Sequence, residues 1–437
     1  MIKIQIDKTS QIPIYRQISK GLQAEISLMA SGDKLPTIRS LAKNLNVNSA
    51  TIANAYKDLE ATGLVYGVAG SGVYVAKKEN NHPEQIITSD FINFADAKTN
   101  YSLFSVDYFK NACNQVLLNY GSEAFKECPP AGYTGLCETI SQEFKHKSTD
   151  DIQIITGINS SIKQFVDSFV GTGNVVLAEK PGLDTTAFLS KKAKVVEVVR
   201  DANGFQNLKA LMDLYKPKFL FLMPNFQIPT SLCYTKANIK SIIDLCIRAN
   251  AYIIEIDIVN DFYYNNIPPV SIKSLDTNGR VIYMKCFNKI LASGLKIGYA
   301  AYPKSFGLPT AIVDMPSGFE QRIFNFYLQS NNFFTHGAFM RQEYGKVYNK
   351  LIKACHTYLL PYANFVKPNG GLGLWVSPKN LLTNEVYEKL LARKVIVSPG
   401  NMFATGNMPH FRLNFSNIPE DRITEGIGII SSVLAKG

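Results

Sequence analysis

The sequence predicts an α/β protein in two parts, a winged helix-turn-helix head and a larger body built on a mainly parallel sheet. Three features predict it. Residues 1–78 read as a helix, a pair of helices joined by a three-residue turn, and a hairpin. Beyond a polar stretch, short unbroken apolar runs recur, with helical stretches between several of them. A head of that size in a chain of 437 residues leaves about 340 for a second unit.

Within QIPIYRQISKGLQAEISLMA, residues 11–30, Ile14, Ile18, Leu22, Ile26 and Leu28 fall close to one helical face. LPTIRSLAKNL follows as a second helix, with Thr37 behind Pro36 as its N-cap. The turn NVN is too short to reach anything but an adjacent helix, so Ser49 is expected to cap SATIANAYKDLEATG, which ends at Gly63. LVYGV and GVYVA flank Ala69-Gly70-Ser71-Gly72 and read as a hairpin. This succession is a winged helix-turn-helix, whose second paired helix enters a DNA major groove while the hairpin tracks the neighbouring backbone. A purely structural three-helix module is the plainer alternative. By position, Arg39 meets phosphate or a base edge, Ser49, Thr51 and Asn54 lie on the exposed side of the recognition helix, and Gly70 and Gly72 belong to the wing. Ten Lys/Arg against five Asp/Glu in the segment, within a net charge of +11 for the chain, suit a polyanion partner.

AKKENNHPEQIITSD is polar and charged and reads as a linker, placed at 79–92. The body then runs over 93–437, with a large part at about 93–320 and a small C-terminal subdomain at about 321–437. The seven cysteines show no metal-ligand spacing and are expected to be reduced, mostly buried thiols. No apolar run reaches membrane-spanning length and the N-terminus lacks a signal-peptide pattern, so a cytoplasmic location is expected.

In the body, NVVLAE, AKVVEVV, KFLFLMP, AYIIEID, RVIYMK and IGYAAYP are continuous hydrophobic strands of the kind found in a parallel sheet covered on both faces. Ligands in such sheets sit beyond the carboxyl ends of the strands. GINSS, NFQIPT and NKI fall at those ends, which predicts one convergent pocket.

LPTIRSLAKNLNVNSATIANAYKDLEATGLV resembles the head of GntR-type regulators. Ser49 stands where that family usually has an arginine, and Tyr66 and Val68 where its wing is basic. The body segments PPAGYTGLCETI, AEKPGLDTTAF, MPNFQIPTS, IEIDIVNDFYY, CFNKILASGLKIGYAAYP, KVIVSPGNMF and HFRLNF resemble, in order, the aminotransferase-like part of the MocR subgroup of GntR regulators. The resemblance implies a PLP-transferase-like body of aminotransferase fold type I. It further implies a homodimer and a double-stranded DNA operator with two half-sites. Pyridoxal phosphate is the implied cofactor.

Pyridoxal chemistry needs a lysine to hold the cofactor and a carboxylate to keep its ring nitrogen protonated. The resemblance puts Lys289 at the lysine, and Asn159 and Ser160 at a helix N-terminus facing the phosphate. Asn288 and Lys296 fall in the phosphate cup, where with Cys286 they replace the usual hydroxyl residues and an arginine. Arg412 matches the arginine that grips a substrate carboxylate by a paired fork. The remaining contacts are replaced. The ring-nitrogen acid falls on Ile256, the following tyrosine on Ile258, the stacking ring on Leu183, and an asparagine on Ile228. Shifting the register by one would offer Asp257, but would spoil the match of Glu255 and of Asp261-Phe262. A buried strand favours isoleucine in any case, so drift and selection for a less polar ligand both fit.

The expected function is a DNA-binding transcription regulator whose body, its cofactor pocket degenerate, senses a small ligand or serves as a dimer scaffold. The alternatives are a regulator that binds pyridoxal phosphate through Lys289 as its sensor, and a working aminotransferase with a DNA-binding head. No catalytic set and no metal site is expected. Lys289, Lys296 and Arg412 should converge on one cavity, where their mutual repulsion calls for a small anionic occupant.

Overall fold

The computed structural model describes residues 13–27, 32–61, 64–68, 71–75, 90–183, 192–200, 205, 207–309, 315–380, 383–404 and 408–435. The chain divides into two compact units, Met1–Thr88 and Ser89–Gly437.

The first unit holds α1 (Ile14–Ser27), α2 (Ile38–Leu45), α3 (Ser49–Ala61), β1 (Val65–Val68) and β2 (Gly72–Val75). Ile18, Leu22 and Ile26 of α1 recur every four residues and meet Leu41 and Ala42 of α2 and Ile52, Ala55, Tyr56 and Leu59 of α3. Val65 and Val75 of the antiparallel hairpin close this core. Two side-chain bonds fix the helices: Ser19 Oγ donates to Asp58 Oδ2 at 2.6 Å, and the Tyr56 hydroxyl donates to the Pro36 carbonyl at 2.7 Å. Thr37 caps α2 as expected, accepting from the Ser40 amide at 3.2 Å. The cap of α3 is a correction. Asn48, not Ser49, accepts from the Ala50 amide at 2.9 Å, because the turn leaves Asn48 as the last residue outside the helix. Leu28, Gly63, Ala69 and Gly70 lie outside the described residues.

The second unit is built on a seven-stranded sheet. Its strands are β4 (Asp150–Ile155), β5 (Val175–Lys180), β6 (Lys194–Val199), β7 (Phe219–Leu222), β8 (Tyr252–Asp257), β9 (Val281–Cys286) and β10 (Gly298–Pro303). They lie in the order β4-β10-β9-β8-β7-β5-β6. All are parallel except β10, the IGYAAYP run, which is antiparallel to both β4 and β9. The short segment 287–297 cannot carry a crossover of about a dozen or more residues, so the chain returns beside β9 in the opposite direction.

Alternation along the strands sends Ile254 and Ile256 of β8 to one face, with Ile282, Met284 and Cys286 of β9, under α4 (Ile158–Phe169). Ile253 and Val281 go to the other face, under α5 (Leu208–Tyr215) and α6 (Lys236–Arg248). A second sheet, β11 (Ala363–Phe365), β12 (Gly373–Pro378), β15 (Phe411–Asn414) and β14 (Ser398–Pro399), is antiparallel throughout. The last residues of the expected linker already belong to this unit: β3 (Ile92–Asn93) pairs in parallel with β13 (Val395–Ile396).

The expectation of mostly buried thiols is too strong. Cys246, Cys286 and Cys355 are buried, Cys113, Cys128 and Cys137 are half-buried, and Cys233 is exposed, all of them free. Among the described residues no cluster suits a metal ion, and no helix is long and apolar enough to cross a membrane.

Candidate functional site

In the head, Ile52, Ala55, Tyr56 and Leu59 turn inward, which leaves Ser49, Ala50, Asn54 and Lys57 exposed on the outer face of α3. Thr51 is half-buried on the flank of that face. Arg39 stands exposed on the first turn of α2. Lys57 joins the candidate set only once the helix phase is known. On the wing, Tyr66 stacks on its cross-strand partner Tyr74 with centroids 5.8 Å apart. The Lys34 ammonium lies 5.7 Å from the Tyr74 ring centre, so a cation from the strand edge stands at a wing whose own positions are aromatic. Gly72, at φ +131, lies against the Lys34 side chain. Arg39→Ala is expected to weaken operator binding by about 1–3 kcal/mol if it makes a bidentate base contact, or to act equally on all sequences if it meets phosphate. Unchanged affinity at moderate salt, measured by fluorescence anisotropy, would remove Arg39 from the interface.

In the body, the segments after β4, β5, β7, β8 and β9 leave the same edge of the sheet. Lys289, half-buried after β9, donates to the Ala97 carbonyl. Its amine is lowered to about 8, first by burial and then by the charge of Arg412, against an opposing pull from Asp96. Arg412, only 5% exposed on β15, has no hydrogen-bond or ion-pair partner for its buried Nε. Burial brings its guanidinium down to about 10. Lys289 and Arg412 are therefore close enough to repel. Lys296 is exposed just before β10, with no hydrogen bond or ion pair among the described residues.

Ile256 is 3% exposed, packed with Ile158, Ile162, Met284 and Cys286. Leu183 and Ile258 are half-buried against that same cluster. Asp257 points to the opposite face, where Tyr283 donates to it and Lys285 Nζ lies 3.1 Å from Oδ2. Lys285 also reaches Asp261 Oδ2 at 2.7 Å, and the two carboxylates hold its ammonium firmly protonated. Period-2 alternation thus removes Asp257 as a substitute for an acid at position 256.

At the N-terminus of α4, the Ile158 amide donates to the Cys286 sulfur, and burial raises that thiol to about 12. Ser160 Oγ donates to the Gly157 carbonyl at 3.0 Å and lies 2.9 Å from Thr156 Oγ1. Asn159 is exposed. Asn288 has a buried Oδ1 without a partner, and its carbonyl accepts from Thr99 Oγ1 at 3.0 Å.

A row of aromatic residues beside Arg412 escaped the motif reading. Trp375 is the register partner of Arg412, stacks on His410 at 5.1 Å, and meets Phe403 edge-on at 5.8 Å. A Cβ at Gly373 would lie 2.8 Å from Arg412 Nε and Nη2, so glycine makes room for the guanidinium. Ser231 Oγ donates to the Gly373 carbonyl at 2.8 Å, which ties the loop carrying Ile228 to this strand. Gly373 in GGLGLW was the available signal.

A winged helix-turn-helix head in one chain with an aminotransferase fold defines a class, the DNA-binding transcription regulators with an aminotransferase-like body. The chain belongs to the aminotransferase class I and II family over residues 99–430, and its head matches the bacterial regulatory proteins of the gntR family over residues 14–75, as the MocR subgroup does. It is 25% identical over 465 residues to the uncharacterized HTH-type transcriptional regulator YdfD of Bacillus subtilis, covering 96% of each chain. It is 23% identical over 444 residues to the HTH-type transcriptional regulator NorG of Staphylococcus aureus, covering 92% of this chain and all of that one. Among solved structures, the multiple substrate aminotransferase of Thermococcus profundus superposes with a TM-score of 0.75 at 22% identity, over 83% of this chain and 96% of that one. The kynurenine aminotransferase of Pyrococcus horikoshii gives 0.73 at 23% identity, over 81% and 93%. Proteins of this fold normally bind pyridoxal phosphate.

Proposed function

We propose that the regulator uses its aminotransferase-like body, as a homodimer, to sense a small anionic ligand without pyridoxal chemistry. One observation carries the reading: the position that should protonate the cofactor ring is Ile256, sealed in an apolar cluster, while the neighbouring Asp257 is bound to Lys285 on the far face of the sheet. The residues present do not fit pyridoxal phosphate. The ring nitrogen would meet hydrocarbon, Leu183 offers no stacking ring, and the Ile158 amide is taken by Cys286. Lys289 and Arg412, in contrast, suit an anion of some kind. Paired winged heads would read the two half-sites of an operator.

The reading that keeps pyridoxal phosphate as the sensor rests on Lys289 alone. Its amine, lowered to about 8, is unprotonated more readily than an ordinary lysine and could hold the cofactor covalently. A visible absorption spectrum of the purified protein, before and after addition of pyridoxal phosphate, separates the two. No new bound-cofactor band is expected. A saturable band that disappears in Lys289→Ala would overturn the proposal.

A further inference from the structure

The pocket has kept cations and replaced its polar ring contacts with hydrocarbon, and that combination selects a chemical class of ligand. Arg412 is buried with an unpaired Nε, and no acidic side chain forms an ion pair with it among the described residues. A guanidinium buried in that way is costly until an anion completes it. A doubly charged phosphate wants several backbone amides, yet the first amide of α4 already serves the Cys286 sulfur and Ser160 turns its hydroxyl to Gly157. Meanwhile Leu183 and Ile258 are half-buried over Ile256, and Ile228 sits on the loop tied by Ser231 to β12, the strand paired with that of Arg412. Such a wall favours an apolar body over a charged or hydroxylated one.

We propose that this site directly binds an apolar monocarboxylate, with its carboxylate on Arg412 beside Lys289 and its hydrocarbon or aryl body against the half-buried Leu183, Ile228 and Ile258. The proposal rests on the reading of the body as a cofactor-free sensor and names its ligand class. Trp375 provides the readout: it is the only tryptophan of the chain and stacks on His410 beside Arg412. The full-length protein is titrated with 3-phenylpropionate, 3-phenylpropanamide, succinate, inorganic phosphate and pyridoxal phosphate, following tryptophan fluorescence and visible absorption.

The expected result is saturable binding of 3-phenylpropionate, weaker by about tenfold or more for the amide and for Arg412→Gln, since both remove a charged hydrogen bond. Ile256→Asp places a carboxylate beneath the apolar wall and should weaken that binding about tenfold or more even with Arg412 in place. Affinity should fall as pH rises through about 8, where Lys289 loses its proton; Arg412 and Asp96 are the charged groups that act on it. Equal binding of acid and amide, or no saturable binding of 3-phenylpropionate, overturns the proposal. Binding of succinate or phosphate alone overturns the ligand class and leaves the cofactor-free sensor standing. A Lys289-dependent pyridoxal band overturns both.

Discussion

Lys285→Met is expected to lower the stability of the body by about 3–5 kcal/mol, the usual cost of removing one partner of a buried ion pair. Lys285 is 3% exposed and its ammonium joins Asp257, 2% exposed, to Asp261. Methionine fills much the same volume, so the loss comes from charge and not from a cavity. It leaves Asp257 buried with only the Tyr283 hydroxyl as a donor among the described side chains. The two groups share one network, so their effects should not add. Adding Asp257→Asn to Lys285→Met should recover part of the loss. Urea unfolding followed through Trp375 measures both. A loss below about 1 kcal/mol would mean that water or a rearranged neighbour solvates the carboxylates in place of the lysine.

Transamination of common amino acids is expected at the background rate, a deficit of several orders of magnitude against an ordinary enzyme with kcat of roughly 1–1000 per second. The chemistry depends on a cofactor ring that stays protonated, and a carboxylate at the ring nitrogen supplies that proton. By its place in the motif Ile256 takes that position, and it belongs to a cluster with Cys286, Met284 and Ile158 that contains no carboxylate to keep the ring nitrogen protonated. Lys289 and Arg412 cannot compensate, because neither is an anion that could keep a pyridine nitrogen protonated. The assay is amino-acid-dependent formation of a keto acid with pyridoxal phosphate in excess. Turnover at enzymatic rates would sink the non-catalytic reading, whatever the ligand.

Much of this was legible from spacing. The every-fourth-residue pattern of Ile18, Leu22 and Ile26 marks the core face of α1, and the apolar runs of the body mark its strands, because burial on one face or on two leaves a period in the sequence. Thr37 was recognisable as a cap, whereas Asn48 was missed beside Ser49, since both residue types cap well and only backbone geometry chooses between them. Direction in the sheet was less legible: β10 reads like its neighbours and runs against them, because strand direction depends on connection length and not on strand composition.

By itself the sequence determined the two-part architecture, the DNA-binding head, the aminotransferase kinship of the body, and the aliphatic residues at 183, 228, 256 and 258. These are properties of local pattern and ordered motifs, carried by residue identity. Only the tertiary structure decided where the surviving charges go. It turned Asp257 away from the pocket and onto Lys285, brought Lys289 within the field of Arg412, and set Trp375 beside Arg412. Each of those outcomes joins residues distant in the chain, through the alternation of a strand or the register of a sheet. Electrostatic energy depends on the distances that result, and no spacing along a single segment encodes them.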